Sequence, residues 1–214
     1  MRWSDRNGEV IGMAPLRAVL ATRNPNKVQE VGRIMADAGA QVALIGAGDL
    51  ACELPEVVEN GASFAENALL KARSAAHTAG MIALADDSGL CVDALAGMPG
   101  IFSARWAGGH GDDERNLTLL LDQLRDVPDD RLGAHFTCVA AAAFPDGREL
   151  IAHGRVDGSL VRTRRGSGGF GYDPMFLPCG FSCTTAEMEP AEKDLVSHRG
   201  AAFRQLARLL SLVV

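Results

Sequence analysis

The apolar run Met81-Ile82-Ala83-Leu84-Ala85 passes directly into Asp86-Asp87-Ser88-Gly89, and no other feature constrains the fold so tightly. The run reads as a buried strand with two adjacent carboxylates at its C-terminal end. Such a pair is costly unless a cation or hydrogen-bond donors neutralise it. Mg²⁺ is the natural cation, because it takes hard oxygens and binds through one or two carboxylates plus substrate phosphates. A solvated turn is the plainer alternative, since Asp, Ser and Gly are common turn residues.

The surrounding sequence supplies the rest of an α/β fold. Leu16 to Ala21 is a short apolar strand, Thr22-Arg23-Asn24-Pro25-Asn26-Lys27 a turn, and Val28, Val31 and Met35 then recur at helical spacing. Ser63 and Glu66 have capping-box spacing at the head of a helix whose Phe64, Ala68, Ala72 and Ala75 share one face. Leu117, Leu120, Leu121 and Leu124 mark a third helix. Phe136 to Phe144, a Pro145-Asp146-Gly147 turn and Arg148 to Val161 read as a long hairpin. A helix carrying Phe203, Leu206 and Leu210 closes the chain. Strands alternating with helices and then pairing as a hairpin predict a mixed sheet with flanking helices. No linker or repeat divides it, so residues 1–15 are expected to be a flexible extension and 16–214 a single domain.

Composition narrows the function. With 214 residues the chain can hold a cleft. A formal net charge of −6 without a Lys/Arg-dense block argues against nucleic acid as a partner. Five scattered cysteines without a CxxC pair argue against a disulfide framework or structural zinc. The start of the chain lacks an apolar signal core and no apolar run reaches the ~18 residues of a membrane span, so a cytoplasmic location without membrane association is expected.

Four segments carry polar chemistry. The Thr22–Lys27 turn joins a strand to a helix N-terminus, where backbone N–H groups and the dipole favour phosphate; it is not a Walker loop, and an ordinary capped turn is the bland alternative. Asp86 and Asp87 form the second. The third is the glycine loop from Gly166 to Asp173, where Phe170 and Tyr172 could stack a planar base or belong to the core. Lys193 and Ser197-His198-Arg199 are the fourth, a charged helix start whose donors suit keto oxygens.

Taken together these residues resemble the inosine triphosphate pyrophosphatase family, the non-canonical purine nucleoside triphosphate pyrophosphatases. The likeness rests on Leu20 to Lys27, Gly61 to Ala68, Ala85 to Leu90, Pro99 to Trp106, Gly168 to Pro174 and Ser197 to Gly200, in order and at family-like spacing. It implies a homodimer with an elongated mixed sheet and two lobes around a central cleft. It implies that Thr22, Asn24 and Lys27, with the neighbouring Arg23, Pro25 and Asn26, hold the triphosphate. Asp87 is implied to bind Mg²⁺ and accept a proton, with Asp86 as its acidic partner. A glutamate before the second helix is implied to help hold the metal; Glu59 matches best, with Glu56 and Glu66 nearby. Ser88, Phe170, Gly171, Tyr172, Asp173, Lys193, His198 and Arg199 are implied to bind the nucleotide and its base.

The expected reaction is Mg²⁺-dependent hydrolysis of ITP, dITP or XTP to the monophosphate and pyrophosphate. Donors facing the 6-keto oxygen would discriminate against ATP, whose amino group would leave them unpaired. One rival is a septum-inhibitor-type pyrophosphatase acting on methylated or pyrimidine nucleotides, although its Ser-Pro-Arg-Arg-like opening is missing. The other is a non-catalytic nucleotide sensor or nucleic-acid-binding module, in which the acidic pair would be a liability.

Overall fold

The computed structural model describes residues 15–109 and 111–213, so nearly all of the expected N-terminal extension lies outside the described residues. Among the described residues six strands form one mixed sheet in the order β2-β1-β3-β4-β5-β6. β1 (Leu16–Leu20), α1 (Pro25–Asp37) and β2 (Val42–Gly46) open the chain; α2 (Phe64–Ala79) and β3 (Ile82–Val92) follow. After α3 (Asp113–Gln123) come β4 (Gly133–Ala143), β5 (Glu149–Leu160) and β6 (Phe176–Pro178), then α4 (Pro190–Val196) and α5 (His198–Val213). β1 runs parallel to β2 and β3, whereas β3 to β6 are antiparallel, which is the α/β architecture expected.

One expectation fails in an informative way. β3 does not stop at Ala85; it continues through Asp86 and Asp87 to Val92. β4 pairs it continuously from Ala83↔Ala143 to Val92↔Ala134, so the backbone of the acidic segment is held in the ladder. What ends there is the other neighbour. β1 pairs with β3 only as far as Leu20↔Leu84, and Ala21 N–H makes the last bond to the Leu84 carbonyl, at 2.8 Å. The acidic pair therefore sits mid-strand, just beyond the carboxyl end of β1, where an α/β sheet offers a crevice.

Strand alternation then separates the pair, because successive side chains point to opposite faces. Leu84 and Asp86 face α1 and α5, where Leu20, Ile34, Cys138, Phe203 and Leu206 form one core. Ala83, Ala85 and Asp87 face α2, where the second core is built largely of alanine: Ala68, Ala72, Ala75 and Ala76 against Ala83, Ala85, Ala141 and Ala143. Small residues on both surfaces let α2 lie close on the sheet and lower Asn67 and Lys71 toward Asp87. A third core, from Leu90, Leu117, Leu120, Phe136, Tyr172 and Phe176, packs the far end of the sheet.

Local signals hold these elements in place. Ser63 Oγ accepts the Glu66 N–H at 3.2 Å, and Glu66 Oε2 returns to the Ala62 N–H at 2.7 Å, a reciprocal cap displaced by one residue from the ideal box. α5 begins at His198 directly on β5 because residue 154 is glycine. A Cβ there would lie 2.0 Å from the His198 carbonyl oxygen.

Candidate active site

A cleft of about 760 Å³, a size typical of small-molecule sites, opens beyond the end of β1. The β1–α1 turn, α2, β3, the glycine loop and the start of α5 all reach it. The four segments singled out by the sequence are thereby brought together: Thr22, Lys27, Asp86, Ser88, Phe170, Lys193 and Arg199 line one cavity, joined by Glu59 and Lys71. Asp87 does not itself line it. Its Oδ1 is 3.5 Å from Nζ of Lys71, which does.

At the turn, side chains fix the backbone. Thr22 Oγ1 accepts the Asn24 N–H at 3.2 Å, and Asn24 Oδ1 caps α1 by accepting the Asn26 N–H at 2.9 Å, with Pro25 in the first helical turn. Lys27 leaves the first turn of the helix for Asp86, with Nζ 3.3 and 3.2 Å from the two carboxylate oxygens. Arg23 also lines the cleft, and its Nη2 donates to the Leu54 carbonyl at 3.1 Å.

Asp86 is the centre of a closed network. Its Oδ2 accepts from Nε and Nη2 of Arg199, both at 3.3 Å, and from the Ser88 hydroxyl at 3.3 Å, with the Cys138 thiol at 3.8 Å. Arg199, 2% exposed, also donates through Nη1 to Glu30 Oε2 at 2.8 Å and through Nη2 to Ser88 Oγ at 2.9 Å. Four of the five guanidinium hydrogens are thus engaged. Burial alone would raise the Asp86 carboxyl, yet Lys27, Arg199 and Lys71 hold it far below the usual carboxylate range. Burial on its own would likewise lower Arg199, but Asp86 and Glu30 keep it firmly protonated.

Asp87 has a different setting. Asn67, fully buried, donates to its Oδ2 at 3.1 Å, and the Lys71 ammonium is shared between Asp87 and Glu59, whose Oε1 is 2.7 Å from Nζ. Burial raises the Asp87 carboxyl despite Lys71, and Glu59 and Asp86 add to the rise. Glu59 moves down, because Lys71, Lys27 and Arg105 outweigh its burial. Among the described residues no three His, Cys, Asp or Glu side chains converge as a ready-made metal cage; of the expected trio, Glu59 and Asp87 meet at Lys71, while alternation carries Asp86 to the other face of β3. Glu59 and Asp87 remain as hard oxygen donors already holding one shared cation, the Lys71 ammonium. This donor set fits Mg²⁺, which asks for one or two carboxylates and completes its shell with phosphates.

The opposite end suits a planar ligand. Phe170 lies under two cations, Lys193 Nζ at 5.1 Å and the Arg199 guanidinium at 5.5 Å from its ring centroid. Asp173 Oδ2 accepts from Phe170 N–H at 2.8 Å and Lys193 Nζ at 2.5 Å, anchoring the loop to α4. His198 stacks on Phe136 with ring centroids 4.7 Å apart, and burial, reinforced by Arg199 and Lys193, holds it well below its usual value and therefore neutral. The two loop aromatics part company. Tyr172 belongs to the third core and donates to the Ser103 carbonyl at 2.9 Å, so its face is not offered as Phe170's is.

Lys71, Asn67, Glu30 and Arg105 were given no site role from the sequence, although Asn67 and Arg105 lie in segments that carry the family likeness. A signal existed for the first two: Asn67, Lys71 and Ser74 recur at helical spacing beside the alanine face of α2. Glu30 adjoins the Val31 and Ile34 stripe of α1, where a carboxylate is out of place unless paired.

A model described as "Ham1 family" matches residues 18–209. The chain is 55% identical over 190 residues to a dITP/XTP pyrophosphatase of Streptomyces coelicolor, spanning 89% of this chain and 94% of that one. Among solved structures it resembles a HAM1 protein of Coxiella burnetii, with TM-score 0.82 and 38% identity over 92% of this chain and all of that one. It also resembles a nucleoside-triphosphatase, dITP/XTP pyrophosphatase, of Mycobacterium abscessus, with TM-score 0.72 and 49% identity over 91% and 99% of the two chains.

Proposed function

The chain belongs to the Ham1 family, and from that premise we propose that it hydrolyses non-canonical purine nucleoside triphosphates, ITP, dITP and XTP, to the monophosphate and pyrophosphate. The observation that carries this reading is Asp87: a carboxylate raised by burial, steadied by Asn67, and 3.5 Å from the Lys71 ammonium that lines the cleft with Lys27 and Phe170.

In this mechanism the triphosphate lies along the α1 N-terminus, where Lys27 offsets its charge and the turn's backbone N–H groups bind it. Asp87 takes a proton from water, whose oxygen bonds to the α-phosphorus as the α–β bridging bond breaks and pyrophosphate leaves. Glu59 and Asp87 would hold Mg²⁺, and Lys71 would turn from them to the phosphates. When bound, the metal supplies neutralisation of phosphate charge and a more acidic water.

Base selection follows from the other end. Phe170 stacks the purine, while Lys193 and neutral His198 supply donors for a 6-keto oxygen; Arg199, with one N–H still uncommitted, adds a third. The reading extends to a single domain from residue 16, a homodimer and a cytoplasmic location. No described helix is long and apolar enough to cross a membrane. Pyrophosphate release should be measured across ITP, XTP, dITP, GTP, ATP and pyrimidine triphosphates, with and without Mg²⁺. Metal-dependent release from ITP, dITP and XTP, with ATP at least tenfold poorer in kcat/KM, is expected from the lost hydrogen bonds. Preference for pyrimidine or methylated substrates would favour the septum-inhibitor type, and binding without turnover a sensor.

A further inference from the structure

The loop over residues 50–62 contributes Glu59 to the cleft but contains no helix or strand. Apolar packing does little for its central part. Leu54 is buried, but Val58 is 76% exposed and Pro55 and Glu56 are exposed as well. Polar tethers must therefore hold it. Arg23 grips it at Leu54, and Asn67 at Gly61, where Oδ1 accepts the Gly61 N–H at 2.8 Å. Between those points, among the described residues, the hydrogen bonds and ion pairs that reach other elements come from Lys71 and Arg105, and both end on Glu59.

The two tethers differ in kind. Lys71 holds the Glu59 carboxylate, 2.7 Å away, and shares its charge with Asp87 at 3.5 Å. A divalent cation drawn to the same carboxylates competes with that ammonium, since like charges repel at such range. Arg105 grips the backbone: its Nη2 donates to the Glu59 carbonyl at 3.1 Å, while Nη1 stays 3.7 Å from Oε2. This hold leaves the carboxylate oxygens available to a metal.

Arg105 also stands on firm support. It ends the 3-10 turn Gly100–Arg105, which lies against β3 because residue 89 is glycine; a Cβ there would sit 2.3 Å from the Gly100 carbonyl oxygen. Ser103 Oγ accepts the Leu90 N–H at 2.9 Å, Tyr172 donates to the Ser103 carbonyl, and the Arg105 guanidinium covers the Phe102 ring at 5.4 Å.

We propose that Arg105 is a positioning residue that keeps Glu59 aimed into the cleft when Lys71 lets go of it, and so sets how tightly the site takes its divalent ion. The proposal rests on the reading of Glu59 and Asp87 as the metal carboxylates. Mn²⁺ serves as the probe: its free-ion EPR signal is titrated with the full-length protein, alongside the Mg²⁺ dependence of pyrophosphate release from ITP. Loss of a residue that orients a metal ligand predicts Mn²⁺ affinity about 10- to 100-fold weaker in Arg105→Ala, a matching rise in half-saturating Mg²⁺, and kcat at saturating Mg²⁺ within about twofold of wild type. Arg105→Gln retains an N–H donor for the Glu59 carbonyl without the charge, and is expected to recover part of the affinity; it also serves should the alanine variant fold poorly. Mn²⁺ affinity unchanged in both variants, or kcat at saturating Mg²⁺ falling as far as affinity, overturns the tether. Wild-type protein that takes up no Mn²⁺ overturns the tether by removing the metal carboxylates beneath it, whereas uptake by wild type with no effect of either substitution overturns the tether alone.

Discussion

Asp86 and Asp87 share a residue type, a strand and a peptide bond, yet the two faces of β3 treat them oppositely. On the α5 face Asp86 is enclosed by Lys27, Arg199 and Ser88 and stays ionised far below the usual range. On the α2 face Asp87 has Asn67 and a lysine shared with Glu59, and burial pushes it upward. In the proposed mechanism, carboxylates driven apart in this way divide the labour between fixed charge and proton acceptor. The face a side chain occupies, and not its identity, assigns the task.

Substitutions by Asn should separate the two. Asp87→Asn is expected to lower kcat by roughly 10²- to 10⁴-fold, the usual contribution of a general base, while leaving the melting temperature unchanged or higher, because a buried charge is relieved. Asp86→Asn should do the reverse in stability. It leaves Arg199 and Lys27 short of a buried carboxylate, a change worth about 3–5 kcal/mol, or roughly 6–20 °C in Tm for a chain of this size. Similar stability losses in both variants, measured by thermal unfolding at pH 7, would break the contrast.

A smaller effect separates the faces by pH. His198 lies on the α5 face and is held neutral, so below its unfolded value of about 6.5 the unfolded chain binds a proton that the fold refuses. Its contribution is fully present above that pH. As pH falls from there toward the lowered folded value, this one group should cost up to about 1.4 kcal/mol per pH unit. His198→Gln should flatten that part of the stability profile, and an unchanged acid-side slope in the variant would place the titration elsewhere.

Local features were legible in the residues. The Ser63 cap, the β1–α1 turn, the Pro145-Asp146-Gly147 hairpin and the amphipathic helices all follow from contacts within a few positions. The sequence misled where distant partners prevailed. Asp86-Asp87 looked like a strand end, but β4 continued the ladder and basic residues from α1, α2 and α5 neutralised the charge. The separation of the pair onto two faces was hidden for the same reason, since a turn has no alternation. Arg199 to Glu30 and Arg105 to Glu59 span 169 and 46 positions and leave no periodic trace. Tyr172 had two readings, and its place in the third core was decided by Ser103, 69 positions away.

The proposed division of labour ends in one bond: water, deprotonated at Asp87, joined to the α-phosphorus. Turnover of ITP in ¹⁸O-labelled water, with both products resolved by mass, reads that bond directly. The label should appear in the monophosphate and be absent from pyrophosphate. Label in pyrophosphate would place attack at the β-phosphorus, and release of labelled orthophosphate would place it at the γ-phosphorus; either result contradicts the assignment of Asp87 to a water at the α-position.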